Sequence, residues 1–238
     1  MIRPLVSMIV PVWGDDDLVA DLVSRVSIDT TTAEWVVAAV EPAGVLRKLS
    51  HRGTIRLIAC DTPSRGAQLN AGAREASGSL LCFHHADSEL RCAHLEALAK
   101  VARLEEIVGG AFHRRFDNRH LWMIRWERLL RRISAIAGPL FGDQSIFVRA
   151  DIFQNMGGFA DITIMEDIEF SRRLRRVGRL ALLDPPLWSS PRRFRRLGNA
   201  RTSALNALFI VLFYLGVSPD KLHRWYYRSH FERLRGYS

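Results

Sequence analysis

RGAQLNAGAREASGSLLCFHHAD, residues 65–87, is the stretch whose reading decides the fold. Gln68 to Ala76 has helical character, Gly78 ends it, and Leu80 to Phe83 is a short, wholly apolar strand that runs into His84-His85-Ala86-Asp87. A continuous apolar strand fits a sheet covered on both faces. The same order recurs outward. Leu5 to Val12 reads as a buried strand ending at Pro11 and Gly14, and Leu18, Val19, Leu22, Val23 and Val26 follow at helical spacing. Glu34 to Val40 and Thr54 to Ala59 are the second and third strands, and His94 to Leu104 is a helix. Alternation of this kind predicts an α/β fold with a mostly parallel central sheet and helices on both faces.

The second half is less regular. Gly109-Gly110-Ala111-Phe112 reads as a strand, and Trp122, Trp126, Leu129, Ile133 and Ile136 recur at helical spacing among arginines. Ser145 to Val148 is a strand, Asp151 to Met156 a short helix, and Leu180 to Leu183 a late strand stopped by Pro185-Pro186. Ala204 to Val217 is an apolar run, too short to span a bilayer, which takes about 20 residues. It fits a core helix or one lying in a membrane interface. No repeat or low-complexity linker divides the chain, so a single domain over 1–238 is expected.

Composition narrows the function classes. Cys60, Cys82 and Cys92 are odd in number and lack CxxC spacing, which points to a reducing compartment without a disulfide framework or zinc site. No secretory signal is visible, so a cytoplasmic location is expected. Residues 1–170 hold 19 Lys/Arg and 22 Asp/Glu, whereas residues 171–238 hold 15 Lys/Arg and 3 Asp/Glu. The basic surplus of the last third suits an anionic membrane or a phosphorylated ligand. No nucleic-acid-binding signature accompanies it, so nucleic acid is not the expected partner.

Chemistry concentrates where strands end. Open α/β sheets bind ligands beyond the carboxyl ends of their strands, and Pro11-Val12-Trp13-Gly14-Asp15, Arg65 to Gly72 and His85-Ala86-Asp87 all fall there. Asp87 is a hard oxygen ligand for a divalent cation, with His85 beside it as a softer one suited to manganese; a plain turn gives the same sequence. Arg65 with Gln68 and Asn70 suits a phosphate or sugar hydroxyl, and equally a helix start. Met165-Glu166-Asp167, after Gly157-Gly158-Phe159, sets a carboxylate pair at the head of an amphipathic helix. The helix dipole favours the charged form there, so the pair reads as a general base or as a cap.

In order, Ser7 to Val12, Arg65 to Gly72, His85-Ala86-Asp87, Gly109 to Phe112, Gly142-Asp143-Gln144, Gly157-Gly158-Phe159 and Met165-Glu166-Asp167 resemble a family 2 glycosyltransferase of the GT-A fold. Within it the chain is most similar to the small bacterial arsenosugar-biosynthesis-like subgroup. The resemblance implies a nucleotide-diphosphate sugar donor, a divalent metal (Mn or Mg) and inverting transfer to an acceptor hydroxyl. It places the base on Asp167 with Glu166 in support, and the metal motif on His85 and Asp87. It places Pro11, Arg65, Gln68, Asn70 and Arg193 toward the donor, and Gly142, Asp143 and Gln144 toward the acceptor. It divides the domain into a nucleotide-sugar-binding half (about 1–108), an acceptor and catalytic half (about 109–200) and C-terminal basic and apolar helices (about 201–238).

The sequence departs from that pattern. Ala38 stands where the family has a base-reading Asp, and Gly14-Asp15 replaces Asn-Glu; Asp15 and Glu41 are the carboxylates left to compensate. Phe194, after Arg193, stands where tryptophan is usual. These losses keep open a membrane-associated GT-A-like binding protein without catalysis. A nucleotidyltransferase is a further alternative, but Asp15, Asp16 and Asp17 would repel a triphosphate. The acceptor expected beside a basic, apolar C-terminus is lipid-linked, with the protein peripheral on the inner membrane face.

Overall fold

The computed structural model describes residues 4–26, 28, 29, 31–115, 138–188 and 199–231. The expected helix at 122–136 and the Arg193-Phe194 pair lie outside the described residues. The strands are β1 (Val6–Trp13), β2 (Ala33–Val40), β3 (Arg56–Cys60), β4 (Leu80–Phe83), β5 (Ile107–Arg115), β6 (Ile146–Arg149) and β7 (Arg179–Trp188). The helices are α1 (Asp16–Arg25), α2 (Gly44–His51), α3 (Arg65–Glu75), α4 (Cys92–Val101), α5 (Ala150–Asn155), α6 (Glu166–Leu174), α7 (Asn199–Tyr214) and α8 (Pro219–Phe231), with a 3-10 turn at Gly142–Gln144.

All seven strands form one sheet in the order β3-β2-β1-β4-β6-β5-β7. β6 runs antiparallel to both β4 and β5, and the other pairings are parallel. The two-residue period of a strand sends alternate side chains of β1 to opposite faces. Val6, Met8, Val10 and Val12 pack with Leu22, Leu46 and Leu98 on one face. Ile9 packs with Leu69, Phe153, Phe159 and Phe170 on the other. The chain thus buries both faces of the sheet, as the apolar runs predict.

Proline misleads at two places. β1 runs on through Pro11 to Trp13. Ile9 and Pro11 face the same neighbour, and pairing with β4 ends at Ile9↔Phe83, so the missing N–H of Pro11 breaks no ladder bond. β7 likewise continues through Pro185-Pro186 to Trp188. It is the last strand of the sheet, and an edge strand tolerates proline. The short helix α2, with Leu46 as its buried residue, has no counterpart among the expected elements.

The topology fixes where a ligand can sit. From β1 the chain moves outward through β2 and β3, then returns to lay β4 on the other side of β1. The crevice past the carboxyl ends of β1 and β4 is therefore the switch point of the sheet. β6 opposes the direction of β4, with Ile146 paired to Phe83, so residues entering β6 arrive where β4 leaves.

Candidate active site

Three elements converge beyond that edge. Ser64 caps α3 by accepting from the Ala67 N–H at 3.4 Å, which starts the helix at Arg65. Arg65 projects to the head of α6, where its Nη1 lies 3.1 Å from Glu166 Oε1. Its Nη2 meets His85 Nε2 on the turn after β4. Gly142 packs against the same guanidinium, with no room for a Cβ.

Asp167 completes the cluster. Its Oδ2 accepts from the Gly142 N–H at 2.7 Å and its Oδ1 from the Ile168 N–H at 2.8 Å. Burial, and next the adjacent Glu166 charge, raise its pKa to about 6; Arg65 and the two N–H groups pull the other way. A carboxylate that is ionised at neutral pH and still holds a proton well is suited to general-base work.

The neighbouring groups are tied into this arrangement. Asp143 pairs with Arg114 at 2.6 Å. Gln144 accepts from the Phe141 N–H at 2.9 Å and donates to Phe112 O at 3.1 Å, fixing the 142–144 turn to β5. His84 is fully buried, and burial pushes its pKa down to about 3. Its Nδ1 lies 2.6 Å from Ser145 Oγ, which joins the end of β4 to the start of β6. Glu41, Ser145 and Met165 are the non-glycine residues with positive φ among those described, at 50°, 51° and 70°. All three lie in loops at this edge. Such geometry costs about 1–3 kcal/mol per residue and tends to collect at functional sites.

Two residues expected at a donor grip the frame. Gln68 is buried and donates to Val12 O at 2.7 Å and Ala38 O at 2.8 Å, holding the ends of β1 and β2 together. Asn70 donates to Phe159 O and accepts from Phe159 N, each at 2.9 Å. Gly158, at φ 72°, leaves the space for this clasp, since a Cβ there would lie 2.5 Å from Asn70 Oδ1. Arg173 grips the same loop from α6, donating to Met156 O at 2.7 Å and Gly158 O at 2.6 Å. The double glycine and α6, which carries Asp167, are thus one braced unit.

Asp15, Glu41 and Asp87 are exposed around the rim, as is Trp13 at 64% exposure, while Pro11 is part-buried within β1. Among the described residues no three His, Cys, Asp or Glu side chains cluster as a metal site. The donor set suits a cation completed by substrate phosphates, since magnesium is commonly held by one or two carboxylates plus such oxygens. Asp87 fits that role. His85, with Nε2 turned to Arg65, does not fit it in this arrangement. Arg114, His84, Ser145 and Arg173 join this cluster although the sequence did not single them out.

No protein-family model matches the sequence, and no curated protein does. Solved structures do match. Mannosyltransferase PcManGT from Pyrobaculum calidifontis, in complex with GDP-Man and Mn2+, superposes with a TM-score of 0.65 at 17% identity, over 92% of this chain and 66% of that one. S. aureus TarS 1-349 superposes with a TM-score of 0.60 at 13% identity, over 91% of this chain and 68% of that one. A complex of TarS 1-349 with UDP-GlcNAc gives 0.60 at 16% identity, over 77% and 58%. The fold is GT-A. The chain spans about two thirds of the length of the first two structures. At these identities the likeness is one of architecture. In a GT-A fold the cluster around Asp167 lies at the open edge of the sheet, beside the switch point.

Proposed function

We propose that the chain is a family 2 glycosyltransferase, near the small bacterial arsenosugar-biosynthesis-like subgroup, that moves a sugar from a nucleoside diphosphate to an acceptor hydroxyl with inversion. One observation carries the reading. Asp167 is aimed by the Gly142 N–H at the switch point of a GT-A sheet, with Glu166 braced by Arg65. The acceptor O–H gives its proton to the Asp167 carboxylate as the oxygen attacks the anomeric carbon. The bond from that carbon to the diphosphate oxygen breaks, and its electron pair leaves with the nucleoside diphosphate. Asp167 supplies general-base catalysis, worth typically about 100- to 10,000-fold.

Asp87 would hold a divalent cation, which would supply charge neutralisation for the departing diphosphate. Asp15, Glu41 and the exposed Trp13 indole line the rim where a nucleobase would lie, with Arg193 as a further diphosphate contact. Gly142, Asp143 and Gln144 form the acceptor side. The acceptor is a lipid-linked hydroxyl at the inner face of an anionic membrane.

A thermal-shift series with UDP, GDP, CDP and their sugar conjugates, with manganese and with chelator, tests the reading. A nucleotide that binds the folded chain raises the melting temperature by mass action. Absence of any shift across the series would refute donor binding. Binding without turnover, for every donor and with lipid and soluble acceptors, would favour the non-catalytic alternative.

A further inference from the structure

From Leu205 to Tyr214, α7 is apolar but for Asn206. One side is used within the protein: Phe209 is buried, its ring centroid 5.6 Å from that of Tyr226, and Leu222 of α8 is buried with it. Among the described residues, the opposite side is exposed. Leu208, Val211, Tyr214 and Leu215 fall at helical spacing and are 51%, 53%, 49% and 75% exposed. Trp225 on α8 is 49% exposed, and Lys221 and Arg224 are exposed on the same helix. Residues 221, 224 and 225 share a helix face. An exposed apolar stripe of this kind marks an interaction surface.

Charge and length decide the partner. Lys221 and Arg224, the exposed charged side chains that share the α8 face with Trp225, are both basic, so a second copy would bring like charge to this face. An anionic bilayer brings the opposite charge. α7 has 16 residues, and no helix among those described is long and apolar enough to cross a membrane. A short apolar helix with basic and tryptophan neighbours lies in the interface plane. We infer that the Leu208–Val211–Leu215 face of α7, with Trp225, Lys221 and Arg224 beside it, seats on an anionic membrane.

The hairpin of α7 and α8 is tied to the candidate active site. Thr163 Oγ1, in the loop that leads into Glu166, donates to Asp220 Oδ1 at 3.1 Å. Arg175, just past α6, lies within electrostatic reach of Tyr214. The face proposed to seat on a membrane is thus joined, through α8, to the loop that leads into the carboxylate pair. The inference rests on the membrane-surface reading of the acceptor and not on glycosyl transfer itself.

Flotation of the full chain with vesicles of phosphatidylcholine, alone or mixed with phosphatidylglycerol, at low and high salt, tests it. The protein should float with the anionic vesicles and more weakly at high salt. Leu208→Glu/Val211→Glu/Leu215→Glu should lower partitioning by about tenfold or more, because it sets charge in the buried face. Lys221→Glu/Arg224→Glu should remove the preference for anionic lipid. Circular dichroism melts and nucleotide binding establish that both variants remain folded with the site intact. Flotation equal to wild type by the apolar-face variant would overturn the inference, as would no flotation in any condition. So would wild-type dimers in sedimentation velocity that the apolar-face variant abolishes, since those assign the face to a second copy. Nucleotide binding is read separately, so its absence would count against glycosyl transfer and leave this surface untouched.

Discussion

Arg65→Ala removes the guanidinium that lies 3.1 Å from the Glu166 carboxylate and pulls the Asp167 pKa down. Without it, two adjacent carboxylates at the head of α6 repel each other uncompensated, and Asp167 holds its proton more tightly. An opposite charge at about 4–6 Å shifts a carboxyl by about 1–3 units. Arg65 acts on Asp167 past Glu166 and its side chain is 35% exposed, so solvent screening puts the effect near the lower end. A rise from about 6 to about 7.5 would cut the ionised fraction at pH 7 from about nine tenths to about one quarter. Turnover at pH 7 should fall about fourfold for this reason alone and recover above about pH 8.5. The assay is a carbon-detected NMR titration of the Asp167 carboxyl, assigned with Asp167→Asn, beside a pH–rate profile once a donor is known. Arg65→Lys should restore much of the midpoint, and Glu166→Gln should move it down. Gly142→Ala, whose methyl would displace the guanidinium, should copy Arg65→Ala. An Asp167 midpoint unmoved in a folded Arg65→Ala protein would refute the reasoning.

Asp167→Asn should bind nucleotide normally and lose about 100-fold or more in turnover, measured under single-turnover conditions. It should also flatten the pH dependence of stability. The folded chain holds this proton more tightly than the ordinary value of 3.8, so wild-type stability falls as pH rises from there through about 6, and melts across that window would show the slope vanish. Asp87→Ala should abolish the manganese-dependent part of nucleotide binding in calorimetry; unchanged binding with and without chelator would remove Asp87 from metal binding. Asn70→Ala leaves Phe159 N and O without their clasp and should cost about 1–3 kcal/mol in denaturant melts while nucleotide contacts persist.

The strands β1, β2 and β4 were legible because burial on both faces writes itself into composition. Leu80 to Phe83 needed no tertiary context, and the observed strand has the same bounds. Pro11 and Pro185-Pro186 were misread because their effect depends on which neighbour a strand faces, and that is a property of sheet order. The candidate site was legible as residue types but not as partners. Gln68 and Asn70 are spent on carbonyls and amides 30 to 89 positions away, distances no local pattern encodes. Arg65 read as a phosphate fork, yet its carboxylate partner lies on α6. His84 and Ser145 gave no signal, since a buried histidine paired with a serine looks like any other strand end.

The reversed direction of β6 has a consequence for how such a molecule can diversify. The rim near Asp15, Glu41 and Asp87 is built from chain leaving strands, whereas the turn at Gly142–Gln144 is built from chain entering one. The two halves of the crevice therefore hang on opposite ends of their supporting strands. Insertions ahead of Leu140 can reshape what approaches Asp167 without touching the segments that follow β1, β2 and β4. Under the proposed transfer, loop grafting on that side alone should change acceptor preference while donor preference stays. A single antiparallel strand gives the architecture two independently variable inheritances.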